Sequence, residues 1–167
     1  MKKPSQKKLK RASARAEHDF ATALGGRRTW NSGAGTTKGD GRVPGKYRIE
    51  TKCPPTAQYR LSITEWATFK RIADEALEVP IYHLKLDDLE VVILREKDYD
   101  AIAGRAVIEA VNGGESKTIH FTKGMWLRVL TGVQRMRFTL VDPNGRLRPA
   151  HLLALPRTHF LAIAENL

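Results

Sequence analysis

Cysteine is almost missing from this chain. Cys53 is the single one in 167 residues, so no disulfide can close within it, which fits a reducing compartment. Long apolar runs are missing too: no stretch approaches the roughly 20 residues that a membrane-spanning helix needs. The basic N-terminal run MKKPSQKKLKRASARAE is followed by no apolar segment and does not read as a signal peptide. The expectation is a soluble cytoplasmic protein with no membrane partner. Metal-type spacing is lacking among His18, His83, His120, His151, His159 and Cys53, which argues against zinc. No Cys stands near a His and Asp set, so covalent catalysis has no support. The run GAGTTKGDG lacks the Gly-Lys-Ser/Thr order of a phosphate-binding loop, and no Gly triplet has dinucleotide spacing, so no nucleotide cofactor is expected.

Acids are scarce in one region only. Residues 1–60 hold 15 Lys or Arg against four Asp or Glu, whereas residues 61–167 hold 14 of each, so the whole net charge of +11 lies in the first 60. A one-sided basic segment is the electrostatic footprint of a polyanion partner, most often nucleic acid; a solubilising or anionic-membrane tail is the bland alternative. With 41% hydrophobic residues the chain suits one compact domain, or a domain with a small appendage.

The pattern along the chain predicts alternating helices and strands. Residues 1–7 read as disordered, and Lys8 to Leu24 are rich in helix formers, with a weak apolar stripe of Leu9, Ala12, Ala16, Phe20, Ala23 and Leu24 ended by Gly25-Gly26. RRTWN (27–31) reads as a short strand, SGAGTTKGDG as a loop, and residues 39–52 as a hairpin around Pro44-Gly45. Ser62-Ile-Thr-Glu65 is a capping box opening a helix with the stripe Trp66, Phe69, Ile72 or Ala73, Ala76 and Leu77, and Pro80 is expected to end it. IYHLKL (81–86) and the nearly all-apolar LEVVILR (89–95) read as strands, the second buried. Residues 98–111 read as a helix, and after Asn112-Gly-Gly the pattern is weaker. KTIHF, MRFTLVD and HLLALP read as strands, Pro143-Asn144-Gly145 as a turn and THFLAIAENL as a closing helix. The predicted fold class is α/β, a mixed central sheet flanked by helices. The predicted organisation is a basic flexible tail over 1–14, a core over 15–104 and an α+β C-terminal extension over 105–167.

The chemistry concentrates in KGDGRVPGKYRIETK (38–52), where Asp40 and Glu50 stand among Lys38, Arg42, Lys46, Arg48 and Lys52. If the hairpin loop is Pro44-Gly45-Lys46, Val43 opposes Tyr47 and Asp40 opposes Glu50, with Cβ atoms roughly 5 Å apart. Lys52 then shares their face; a two-residue loop would split the set. Two carboxylates side by side repel unless a hard cation such as Mg2+ sits between them, taking oxygens from both. Lys52 would orient or deprotonate a water, the metal would polarise a phosphoryl oxygen, and the bases would hold the phosphate backbone. Arg27 and Arg28 are further candidate phosphate contacts, and Trp30 and Tyr59 could stack on bases.

Asp40, nine residues, and then Glu50-Thr51-Lys52 ending a strand resembles the PD-(D/E)xK nuclease motif, over roughly residues 15–95. Asn31-Ser32-Gly33-Ala34 resembles the Ser-Gly segment of archaeal Holliday-junction resolvases, and Glu50-Thr51-Lys52 the matching strand of phage endonuclease I enzymes. Gly39 stands where the family name has proline. The resemblance implies a restriction-endonuclease-like core and a Mg2+-dependent DNA endonuclease, with Mn2+ able to substitute. It implies metal binding by Asp40, Glu50, the Thr51 carbonyl and Glu17, with Lys52 acting on the water and Ser32 near the scissile phosphate. Gln58, Tyr59 and Arg60 fall where relatives carry polar or aromatic DNA contacts. The implied substrate is branched DNA, cut by a homodimer acting in recombination in a bacterial or phage-infected cell. A linear-duplex or single-strand nuclease, and a non-catalytic nucleic-acid-binding module, are the competing readings.

Overall fold

The structure, a computed structural model, describes residues 6–29, 41–56, 58–104, 110–124 and 135–165. It is an α/β fold with a mixed sheet flanked by helices. In chain order the elements are α1 (Gln6–Ala23), β1 (Arg27–Arg28), β2 (Gly41–Val43), β3 (Tyr47–Lys52), β4 (Gln58–Ser62), α2 (Ile63–Glu75), β5 (Val79–Leu86), β6 (Leu89–Arg95) and α3 (Glu96–Ala103). They are followed by β7 (Val111–Ser116), β8 (Thr118–Thr122), β9 (Met136–Leu140), β10 (Ala150–Pro156) and α4 (Arg157–Ala164). Eight strands form one sheet in the order β1-β2-β3-β5-β6-β10-β9-β7, and β4 pairs with β8 as a separate ribbon. The β3–β5 and β7–β9 pairs are parallel; the others are antiparallel. β6 lies at the centre beside β5, with β10 as its other neighbour, and both β6 and β10 are covered on two faces, which is why LEVVILR and HLLALP read as nearly continuous apolar runs. Thus β7, β9 and β10 continue the same sheet that β3, β5 and β6 begin.

Strand alternation divides the apolar side chains between two cores. On one face Tyr82, Leu84, Val91, Ile93, Phe138 and Leu152 pack under α2 and the β4–β8 ribbon, with Trp66 and Phe69 at the centre. On the other, Ile49, Ile81, Val92, Leu94 and Leu153 pack against Phe20 of α1, Tyr99 of α3 and Phe160 of α4.

Several local expectations change in the fold. α1 begins at Gln6, so residues 6–14 are its first half rather than a flexible tail. Its buried edge is Ala16, Glu17, Phe20 and Ala21, whereas Ala12 and Ala23 are exposed. An alanine-rich stripe is too weakly apolar to set the helix rotation, which the large Phe20 ring decides. α2 opens as expected, with the Ser62 hydroxyl accepting the Glu65 N–H at 3.2 Å. It stops at Glu75, however, and Leu77 takes a left-handed conformation (φ 56°), so Pro80 does not end the helix but enters β5 opposite Arg48. α3 opens at Glu96, before the expected start, and ends on left-handed Gly104 (φ 67°); residues 105–109 of the expected helix lie outside the described residues. Asn112-Gly-Gly lies inside β7, where the register shifts between Asn112 and Glu115. The ribbon strand β4 alternates polar Gln58, Arg60 and Ser62 with apolar Tyr59 and Leu61, a strand signal that the sequence reading passed over.

The β2–β3 hairpin has the register expected for a Pro44-Gly45-Lys46 loop: Gly41 pairs with Ile49, Arg42 with Arg48 and Val43 with Tyr47. Gly45 takes a positive φ of 74°, and the Lys46 N–H closes the turn on the Val43 carbonyl at 2.9 Å. Beneath the hairpin sits Glu78, 2% exposed, whose two carboxylate oxygens take the Arg42 Nε at 2.5 Å and the Arg48 Nε at 2.8 Å. Arg48, expected among the phosphate contacts, is only 4% exposed and serves instead to neutralise this buried acid. Removing one member of a buried charge cluster strands the others. Glu78→Ala is therefore expected to lower unfolding free energy by about 3–5 kcal/mol, measured by urea denaturation. A loss below about 1 kcal/mol, the range of an exposed pair, would refute this account.

Candidate functional site

β3 is the strand that builds the site. Along it Tyr47, Ile49 and Thr51 turn toward α1, while Glu50 and Lys52, at its end, turn toward α2. The parallel ladder with β5 places Glu50 next to Tyr82 and Thr51 next to His83. Lys52 Nζ donates to Glu50 Oε1 at 2.7 Å and lies 4.0 Å from Glu65 Oε1, at the first turn of α2. Glu65 Oε1 in turn accepts the Tyr82 hydroxyl at 2.5 Å and the Tyr59 hydroxyl. Burial, reinforced by the Glu65 carboxylate, pushes both phenol pKa values well up, so both tyrosines stay protonated donors.

Two cavities meet at Glu50 and Lys52. One of about 370 Å3 opens toward α1 and is lined by Ser13, Glu17, Thr51, Cys53 and Tyr59 as well as the Glu50–Lys52 pair. The other, about 440 Å3, opens toward α2 and adds Ser62, Glu65, Thr68, Phe69 and Tyr82. Glu17, buried on α1, accepts the Ser13 hydroxyl at 3.0 Å and the Arg28 Nε at 2.9 Å. It thus shares a cavity with Glu50 and Thr51, and Arg28, expected on phosphate, is its partner. Cys53 is half-buried, and that burial raises its thiol pKa, as befits an unreactive neighbour of Lys52.

Behind the strand, His83 is fully buried and stacked on Phe20 with ring centroids 4.2 Å apart. Burial pushes the imidazole pKa below its ordinary 6.5. The neutral ring has one donor nitrogen and one acceptor. Nε2–H donates to Glu90 at 3.0 Å, and Nδ1, 3.4 Å from the Thr51 hydroxyl, accepts from it. The hydrogen bond from His83, with Lys85 and Arg157 alongside, holds the Glu90 carboxyl down at about 2. Thr51 is thereby anchored from behind the sheet.

Of the residues expected at the site, the fold brings together Glu17, Glu50, Thr51 and Lys52. Asp40, Ser32 and Lys38, together with Trp30, lie outside the described residues. Arg27, Gln58 and Arg60 are exposed. Tyr59 is not a free stacking face: it is half-buried, its hydroxyl is committed to Glu65, and its ring packs 6.2 Å from Tyr82. Arg42 is half-exposed and paired with Glu78. Sequence reasoning used Glu65 only for its backbone role in the capping box, and it missed Tyr82 and His83. Only the β3–β5 pairing reveals these two, and no spacing in the chain signals it.

Among the described residues, no group of three His, Cys, Asp or Glu side chains is clustered as a metal site. The carboxylates that share the cavity, Glu50 and Glu17, are hard oxygen donors of the type that suits Mg2+. No helix among the described residues is long and apolar enough to cross a membrane. Compared with family models, curated proteins and solved structures, the chain shows no match.

The buried His83 makes stability depend on pH. The unfolded chain protonates this imidazole near its ordinary 6.5, whereas the folded state resists the proton. Below that pH the unfolded state binds more protons, so stability present above 6.5 is lost as pH falls. Urea denaturation between pH 7.5 and 5 should show this decline, and His83→Gln should flatten it. Identical slopes in the two proteins would contradict the assignment.

Proposed function

We propose that this chain is a metal-dependent DNA endonuclease of the PD-(D/E)xK type that hydrolyses phosphodiester bonds. The observation that carries the reading is Glu50 and Lys52, 2.7 Å apart at the end of β3, sharing a cavity with Glu17 of α1. A strand end with an acid and a lysine, met by an acid from the first helix, is the arrangement that the Glu50-Thr51-Lys52 motif implies. Asp40 stands one residue before Gly41, whose ladder partner is Ile49, so the reading takes Asp40 as the acid opposite Glu50.

In this reading Asp40, Glu50, Glu17 and the Thr51 carbonyl would hold Mg2+, or Mn2+ in its place. The ion would supply Lewis acidity, polarising a phosphoryl oxygen and acidifying a water. Lys52 directs its ammonium at the attacking water or the scissile phosphate. Ser32 would act near that phosphate, and Arg27, Lys38, Gln58 and Arg60 would contact the backbone on either side. Arg28 and Arg42 act at one remove, by setting Glu17 and the hairpin. The excess charge of the first 60 residues supports a polyanionic substrate. Branched DNA is the preferred substrate, and two nicks placed symmetrically across a junction call for a homodimer with two symmetric sites.

The test uses a labelled four-way junction and a matched linear duplex, each with Mg2+ and with chelator. Paired nicks in the junction alone, lost with chelator, are expected. Glu50→Ala and Asp40→Ala should each cut the rate by at least about 100-fold while leaving junction affinity within a few-fold. Equal cutting of both substrates would remove the branched-DNA preference. Tight, salt-sensitive binding with no cutting in Mg2+ or Mn2+ would replace the enzyme with a nucleic-acid-binding module.

A further inference from the structure

Lys52 lies between two carboxylates, and only one of them belongs to the metal set described above. Its ammonium is bonded to Glu50 at 2.7 Å and is 4.0 Å from Glu65. A carboxylate oxygen already neutralised by an ammonium is a poor ligand for a divalent cation, because the two positive charges repel across it. Glu50 can therefore serve a metal well only if Lys52 moves to another partner. We propose that Glu65 is that partner: a positioning residue that receives the Lys52 ammonium when Glu50 turns to a metal, keeping the lysine aimed at the phosphate. The proposal rests on the nuclease reading of this site.

Glu65 is built for the role. The hydroxyls of Tyr82 and Tyr59 both donate to its Oε1, and Tyr82 is itself fully buried, so the acceptor is held in place before the lysine arrives. The backbone N–H of Glu65 is capped by Ser62, and its carboxylate lies in the first turn of α2, where the helix favours negative charge. In a reciprocal capping box the Glu side chain returns to the N-cap amide. Here it reaches across to the sheet, to the two tyrosines and toward Lys52. A shift of the Lys52 ammonium by about 1 Å converts the 4.0 Å approach into a hydrogen bond. The two carboxylates border the same cavity, so the lysine crosses open space to make that shift.

The test is a double-mutant cycle read in metal affinity, which does not depend on DNA cleavage. Mn2+ binding to the full chain is measured by calorimetry for the wild type, Glu65→Gln, Lys52→Met and the double variant. Gln keeps an acceptor for the tyrosines but removes the charge. Glu65→Gln is expected to weaken Mn2+ binding about tenfold in the presence of Lys52 and to have no effect in the Lys52→Met background. Tyr59→Phe, which loosens the anchor and leaves the charge, should give a smaller loss in the same direction. In cleavage assays Glu65→Gln should lower kcat and leave KM unchanged.

Unchanged Mn2+ affinity in Glu65→Gln overturns the handover. An equal loss in the Lys52→Met background also overturns it, since Glu65 would then act on the metal directly or through the fold. Both outcomes leave the nuclease reading standing if the wild type cleaves. A wild type that binds no Mn2+ and cuts no DNA overturns both.

Discussion

The parallel ladder between β3 and β5 sets Glu50 beside Tyr82 and Thr51 beside His83. Parallel neighbours cannot be joined by a tight turn, so the chain must cross over between them. It does so through β4 and α2, which brings Ser62, Glu65 and Phe69 over the face where Glu50 and Lys52 project. The opposite face is closed by α1, which delivers Glu17. A single strand pairing thus dictates what stands on both sides of the Glu50-Thr51-Lys52 triplet, and the rest of the sheet holds that pairing rigid from β6 outward.

Charge in the basic segment divides into two kinds. Arg42, Arg48 and Arg28 are consumed internally, the first two by Glu78 and the third by Glu17. An acid buried under a hairpin is tolerable only because two guanidiniums satisfy both its oxygens. The remaining cations of this region, such as Arg27, Lys46 and Arg60, are exposed and free to define the surface field. Net charge therefore overstates the number of side chains able to meet a polyanion.

The polar groups around β3 are interlocked rather than merely adjacent. Lys52 touches Glu50, Glu65 stands behind it on two tyrosines, and Thr51 leans on a buried neutral histidine fixed by Glu90. Such a network is costly unless every member is satisfied, and a well-packed sheet is what can hold one in register. In the handover reading, the pair of carboxylates flanking one lysine lets that network take up a divalent ion without stranding the ammonium.

The sequence by itself determined most element types and the candidate triplet, and it reduced the hairpin to a register conditional on a three-residue loop. Each of these is local: alternation in YRIETK, the Ser62–Glu65 cap, and the three-residue loop that sets Val43 against Tyr47. Residue chemistry likewise singled out Glu50 and Lys52, because acids are rare where bases crowd. Only the tertiary structure decided that Arg48 is buried, that Glu17 faces the triplet, and that Glu65, Tyr82 and His83 surround it. It alone placed β10 beside β6, joining the last third of the chain to the sheet. The physical reason is range. Turns, caps and alternation act over a few residues, whereas strand neighbours far apart in the chain are chosen by how two apolar cores close on opposite faces of one sheet.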